Sequence, residues 1–271
     1  MQGSYRRLCY TRQMPKWKLV IEYQGTRYSG WQEQTNARTV QGELRKASEG
    51  FFGSTVDLGG AGRTDAGVHA LAQVAHLKAT KIVQLHRLQH ELNDRLPADI
   101  CIRSVTEVPN RFHSRHDAVE RFYIYQIATR RTAFAKPFVW WIKDKLDVNR
   151  MRECAGLLVG RHDFVSFTES PAQQASTIVE VTHCELAQTQ DLILCRIGAS
   201  HFLWKMVRRI VGTLVEVGRG QIGVEEFDKL LTSKSTVTAK WTAPPSGLFL
   251  ELVRYPDDPG PGELLPAVYT R

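Results

Sequence analysis

Residues 59–69 read Gly-Gly-Ala-Gly-Arg-Thr-Asp-Ala-Gly-Val-His, the densest run of informative residue types in the 271-residue chain. Four glycines, at 59, 60, 62 and 67, permit tight turns and close approach of the backbone to a ligand. Between them stand one cation, Arg63, and one carboxylate, Asp65. A phosphate loop is excluded: no Lys-Ser/Thr pair follows, and Asp65 occupies the place where a GxGxxG beginning at Gly60 needs its last glycine. Two readings stay open, a surface hairpin in which Asp65 makes an Asx turn and a reaction centre. A lone carboxylate can act as nucleophile, general base or partner of a developing cation. Each role needs it ionised, which a neighbouring guanidinium favours. Retaining glycosidases use two carboxylates, and no second acid lies near Asp65. The pattern therefore points to single-carboxylate chemistry, reaction at a glycosidic carbon included.

Outward from this loop the periodicities alternate. Thr55 to Leu58 reads as a short strand entering it, and Val68 to Leu77 as one leaving it. Upstream, Trp17 to Tyr23 is a strand, and Thr39 caps a helix with Val40, Leu44 and Ala47 on one face, closed by Gly53. Downstream, Leu85, Leu88 and Leu92 mark a helix ended by Pro97, and Ile100 to Val108 and Arg121 to Ile127 alternate as strands. Asp147 then caps a helix that ends near Gly160, and strands follow at Thr177 to Leu186 and Leu192 to Ile197. A long apolar helix spans about His201 to Val217, a short one carries Phe227, Leu230 and Leu231, and Leu248 to Tyr255 is a last strand. Hairpin-spaced strands between helices predict an α+β fold with a mainly antiparallel sheet. Phe134 to Trp141, containing Pro137, marks a junction. The expected organisation is a disordered basic tail over 1–16, two α+β halves over 17–136 and 137–255, and a loosely held proline-rich tail over 256–271.

The 36 Lys and Arg against 28 Asp and Glu give a net charge of +8, which favours an acidic partner, nucleic acid first and an anionic membrane surface second. Five of those charges lie between Met1 and Lys18, a stretch without acids, so the remainder carries 31 cations against 28 acids. Local charge is more telling. Cys101 to Lys136 holds seven cations and three acids, interleaved with Phe112, Phe122, Tyr123, Tyr125 and Phe134. Such a pattern binds phosphates and stacks bases, and it also fits a strand with one core face and one solvated face. Lys205, Arg208 and Arg209 fall at i, i+3 and i+4 in the first half of the long helix, where the macrodipole disfavours cations. A nearby anion resolves that conflict; a solvated rim around a buried helix is the alternative. Five cysteines without CxxC spacing fit neither a disulfide framework nor a zinc site, and free thiols fit the cytoplasm. His86 and His90 lack the Glu of HExxH, so no metal site is expected. No apolar run approaches the roughly 18–20 residues of a membrane span, and the start of the chain lacks the apolar core of a secretory signal.

Gly62-Arg-Thr-Asp-Ala-Gly-Val-His-Ala70 resembles the signature of the tRNA pseudouridine synthase A family. The likeness continues in order through Tyr23-Gln-Gly-Thr, Gly30-Trp-Gln-Glu-Gln34, Phe112-His-Ser-Arg115, Arg121-Phe-Tyr-Ile-Tyr125, Gly160-Arg-His-Asp-Phe164, Phe202 to Gly212 and Thr242 to Leu250. It implies a pseudouridine synthase fold of two similar halves around a central RNA-binding cleft. It implies an isomerase that converts uridine to pseudouridine at tRNA positions 38–40, acting as a homodimer with no metal and no cofactor. On the matching positions, Asp65 is the catalytic aspartate and Arg208 its partner. Tyr123 stacks on the uracil and assists removal of the C5 proton, and Arg63 holds the flipped nucleotide. Arg111, His113, Arg115, Arg121, Lys205 and Arg209 become the expected RNA-binding set. The chain departs from the family's pattern at His116, in Ser170 to Ile178, which lacks an arginine, and at Trp204 and Lys205. These departures bear on substrate range more than on chemistry. The reading from a different class is a tRNA-binding or tRNA-folding module without isomerase activity, and the Arg63, Asp65, Tyr123 and Arg208 set argues against it.

Overall fold

The strand β1 (Lys16–Tyr23) shows why this sequence builds a sheet with one covered face: Trp17, Leu19, Ile21 and Tyr23 alternate inward and are buried. The computed structural model describes residues 14–270; the basic tail expected over 1–16 lies outside the described residues up to position 13. After β1 come α1 (Val40–Phe52), β2 (Asp57–Gly60), β3 (His69–Lys78), α2 (Leu85–Arg95), β4 (Ile100–Val108), β5 (Glu120–Ala128) and β6 (Trp140–Trp141). Then follow α3 (Val148–Leu157), β7 (Gly160–Asp163), β8 (Ile178–Gln188), β9 (Leu192–Ala199), α4 (Met206–Gly218), α5 (Val224–Thr232) and β10 (Leu248–Arg254).

The strands form one sheet in the order β4-β1-β3-β10-β5-β9-β8-β7, with β2 on β3 and β6 on β5. Every pairing is antiparallel except β10 with β3 and β5 with β6. The last strand thus inserts between β3 and β5 and joins the two parts of the chain. Alternate residues of β1, β5 and β9 merge with the apolar faces of all five helices into one core cluster. Thr39 caps α1 by accepting from the Gly42 N–H, Gly53 closes it in the left-handed region, and Asp147 caps α3.

Three expectations change. The helix expected from His201 starts at Met206, because Lys205 sits at φ 61° in the left-handed region and turns the chain there. A strand, β7, occupies Gly160–Asp163, where the polar Arg-His-Asp carries no strand pattern. Of the tail expected to be loose over 256–271, the described residues, to 270, are tied to the sheet by side chains of β5 and β9. Buried Gln126 accepts from the Ala267 N–H at 2.6 Å, and buried Arg196 donates to the Gly262 and Glu263 carbonyls. A proline-rich segment cannot pair as a strand, so side chains of β5 and β9 satisfy its backbone instead. Both strands are consequently buried along their whole length.

Candidate active site

Four segments converge at the start of β3. The loop from Ala61 to Val68 is threaded beneath the first strand's exit: Tyr23 Oη and Thr64 Oγ1 lie 2.7 Å apart, and the Trp31 N–H donates to the Thr64 carbonyl at 3.1 Å. Gly30 has φ 92°, and a Cβ there would stand 2.6 Å from the Thr64 carbonyl oxygen, so only glycine lets the two segments cross. Gly59 and Gly60, expected to serve ligand approach, belong to β2 and make room for the rings of His76 and Trp31. The loop closes as a turn, the Val68 N–H donating to the Asp65 carbonyl at 3.1 Å.

The second segment is α4, which buries eleven of its thirteen residues. The two left over include Arg208, whose side chain is 14% exposed. Arg208 Nε donates to the Ala243 carbonyl at 2.7 Å, and the Ala243 N–H returns a bond to the Arg208 carbonyl at 3.0 Å. Gly212 makes this approach possible, since a Cβ there would meet the Trp241 carbonyl oxygen at 1.5 Å. Anchored in this way, Arg208 Nη1 reaches Asp65 Oδ2 at 3.4 Å across 143 residues of chain. The third segment is β5, which sets Tyr123 edge-on to Phe202 at 5.1 Å and 87°. The fourth, 200–205, carries Phe202, Trp204 and Lys205.

Together they line a cleft of about 530 Å³. Asp65 is the one carboxylate among its lining residues, facing Arg63, Arg115, Arg121, Lys205 and Arg208. Burial pushes the Asp65 carboxyl above its ordinary value; the charge and hydrogen bond of Arg208 act against this, followed by the Lys205 charge and the Trp204 indole. The guanidinium expected to favour ionisation is therefore Arg208, not the sequence neighbour Arg63, and burial outweighs it. Arg63 is exposed at the mouth of the cleft. A desolvated carboxylate held by a fixed cation is both more nucleophilic and better oriented than one in water. Burial also raises the Tyr123 phenol far above its ordinary value, so it is neutral at physiological pH. A neutral ring offers a stacking face and a hydroxyl but no phenolate base. Tyr125, on the same side of β5, is core, its hydroxyl donating to the Pro244 carbonyl at 2.8 Å.

The expected RNA-binding set divides. Arg111 and Arg115 are exposed, and His113 is half-buried with its ring between those of His76 and His116 at 4.6 and 4.2 Å. Lys205 is half-exposed and 3.6 Å from Glu169. Two members do not face solvent. Arg209 is buried, donating to the Thr168 carbonyl and pairing with Glu169. Arg121 is buried with its terminal nitrogens donating to four carbonyls, those of Ala61, Arg115, Ala118 and Ser200. The burial of both has one cause: β5 and α4 are covered on more faces than local periodicity reveals. Nothing in the spacing of Glu169, which pairs with Arg209 and Lys205, links it to residues 36–40 positions further along the chain. Among the described residues no group of three or more His, Cys, Asp or Glu side chains is arranged to hold a metal ion, and no helix is long and apolar enough to cross a membrane.

A family profile described as tRNA pseudouridine synthase matches residues 19–117 and 154–256. A tRNA pseudouridine synthase A from Geobacter sp. (strain M21) is 41% identical over 243 residues, covering 89% of this chain and 98% of that protein. One from Thermoanaerobacter sp. (strain X514) is 42% identical, covering 88% and 98%. A tRNA pseudouridine synthase A 2 from Clostridium tetani is 38% identical over the same shares. Both matched segments contain cleft residues, Asp65 in the first and Arg208 in the second. With its cleft built on those two segments and its relatives matched nearly end to end, this chain belongs to the tRNA pseudouridine synthase family.

Proposed function

We propose that this protein isomerises uridine to pseudouridine in the anticodon arm of tRNA, at positions 38–40, and that it works as a homodimer in the cytoplasm. One observation carries the catalytic reading: a single partly desolvated carboxylate, Asp65, lies 3.4 Å from a fixed arginine in a cleft whose other charged lining groups are cations. The reaction is balanced within one nucleotide. The N1–C1′ bond breaks, the base turns, a C5–C1′ bond forms, the C5 proton leaves and N1 gains one.

Each step asks something of the cleft that its residues can supply. The uridine has to leave its stack, a cost of a few kcal/mol that contacts in the cleft must offset. Arg63 at the mouth and the exposed Arg111 and Arg115 suit the phosphates on either side. Tyr123 and Phe202, set edge to face, suit the flat base. Asp65 supports glycosidic cleavage as nucleophile or as electrostatic partner of the developing cation, and Arg208 orients it. The neutral Tyr123 fits a stacking role better than that of a base.

The test is to map pseudouridine in tRNA from cells with and without the gene, and to compare purified wild-type protein with Asp65→Ala. The variant is expected to make no pseudouridine while binding tRNA within a few-fold of wild type. Turnover by Asp65→Ala would refute the assignment of Asp65, and an unchanged map would refute the activity.

A further inference from the structure

At the His201 side of the cleft two guanidiniums and an imidazole meet without an acid. Arg121 is the central one. Its terminal nitrogens bind the Arg115 carbonyl at 2.7 Å and the Ser200 carbonyl at 2.9 Å, so it draws the 111–118 loop and the 200–205 segment together. Arg115 and His201 thereby line the same cleft. None of Arg115, Arg121 and His201 makes a salt bridge among the described residues, in contrast to Arg196, Arg209 and Arg254, which all pair with glutamates. Carbonyl dipoles satisfy the hydrogen-bonding geometry of Arg121 but leave its charge uncancelled, and a buried charge is costly unless an anion arrives to balance it.

We propose that Arg115, Arg121 and His201 form a subsite for one RNA backbone phosphodiester, and that His201 takes up a proton when the phosphate enters. The proposal rests on the reading of RNA as substrate. The roles differ within the set. Arg121 has its terminal N–H groups committed to carbonyls, so it contributes field, whereas Arg115 and His201 are free to contact phosphate oxygens directly. His201 Nδ1 lies 3.1 Å from Ser200 Oγ, which leaves Nε2 for the ligand.

Although His201 is exposed at the rim, partial desolvation first, then the charges of Arg121 and Arg115, hold its imidazole below its ordinary value in the free protein. A phosphodiester reverses the sign of that local field, and binding then couples to protonation. The charged groups facing His201 are Arg121 from β5 and Arg115 from the preceding loop. Lys205 on its own segment, and Asp65, Arg63 and Arg208, line the same cleft.

The experiment uses the full-length protein. The His201 imidazole resonance, assigned by its loss in His201→Gln, is titrated by NMR with no anion, with sulfate, and with tRNA. Sulfate and tRNA are each expected to raise its pKa by about one unit. In parallel, tRNA affinity is measured at pH 5.5 and 8.0. Wild-type binding should weaken with rising pH about tenfold more than His201→Gln binding, the scale of one charge-assisted hydrogen bond. His201→Lys, charged at both pH values, should restore tight binding at pH 8.0, which a merely structural histidine would not allow. A His201 pKa unmoved by both anions, or equal pH dependence in wild type and His201→Gln, would overturn the subsite. Failure of the wild-type protein to make pseudouridine would instead overturn the functional reading, leaving the sulfate titration to decide the subsite alone.

Discussion

Replacing Arg208 by glutamine should move the acid limb of the reaction upward in pH. Asp65 already lies above the ordinary carboxylate value because burial outweighs its cation. Removing Arg208 leaves burial opposed only by Lys205 and the Trp204 indole. The size follows from the 3.4 Å separation of Nη1 and Oδ2. Coulomb's law gives about 5 kcal/mol at an effective dielectric of about 20, and about 1.2 kcal/mol in bulk water. The two side chains are 24% and 14% exposed, so the pair lies between these limits, at about 2 kcal/mol. At 1.36 kcal/mol per pKa unit the expected displacement is about one to two pH units.

The sign is unambiguous. In the role proposed for Asp65 the carboxylate is the active form; loss of a cation disfavours it, so activity is expected to disappear at a higher pH than in wild type. The assay is single-turnover pseudouridine formation with enzyme in excess over tRNA, followed by release of the C5 hydrogen from labelled uridine across pH 4.5–8. Excess enzyme separates the chemical step from weakened binding. Wild type and Arg208→Gln should differ most at low pH and least on the alkaline plateau. An acid limb at the same pH in both proteins, with a uniform loss of rate, would show that Arg208 does not govern the ionisation of Asp65.

Other perturbations test other links. The logarithm of the tRNA association constant should fall linearly with the logarithm of salt concentration, and Arg111→Ala and Arg115→Ala should each reduce the slope by about 0.7–0.9, the value of one phosphate contact. An unchanged slope would remove that arginine from the RNA surface. Gly30→Ala places a Cβ 2.6 Å from the Thr64 carbonyl at a positive φ. It should lower the urea midpoint by the equivalent of about 2 kcal/mol or more and reduce turnover more than tRNA affinity, because the strain falls on the Asp65 loop. Arg209→Ala leaves the Thr168 carbonyl without its donor and Glu169 with Lys205 as its remaining cation. With Glu169 one-third exposed, a loss of about 2 kcal/mol in chemical denaturation is expected, with a salt slope equal to that of wild type.

The elements were largely legible because their signals are local. Ile100 to Val108 and Arg121 to Ile127 alternate with period two, and β4 and β5 cover those stretches. Thr39, Gly53 and Asp147 mark helix ends whose cap geometry depends on a few adjacent residues. The α4 boundary was not legible: the apolar run begins upstream of Met206, and only the left-handed turn at Lys205 stops the helix from extending back to it. Nor do Lys205, Arg208 and Arg209 share the single helix face that their i, i+3, i+4 spacing suggests. Arg208 turns to the cleft, Arg209 into the core, and Lys205 stands outside the helix.

By itself the sequence determined the α+β class, the caps and turns, the loop around Asp65 and, through its signature, the family. These depend on periodicity, on backbone constraints and on residue types at fixed short spacing. Tertiary structure alone decided which cation meets which anion. Arg63, two residues from Asp65, points to the cleft mouth, while Arg208, 143 residues away, is brought to 3.4 Å by a buried helix and a glycine contact with Trp241. It also decided that Arg121 and Arg209 are buried, that β10 lies between β3 and β5, and that residues 262–267 bond to side chains of β5 and β9. Charges act through space and burial is set by whatever packs above a residue, so neither can be read along the chain.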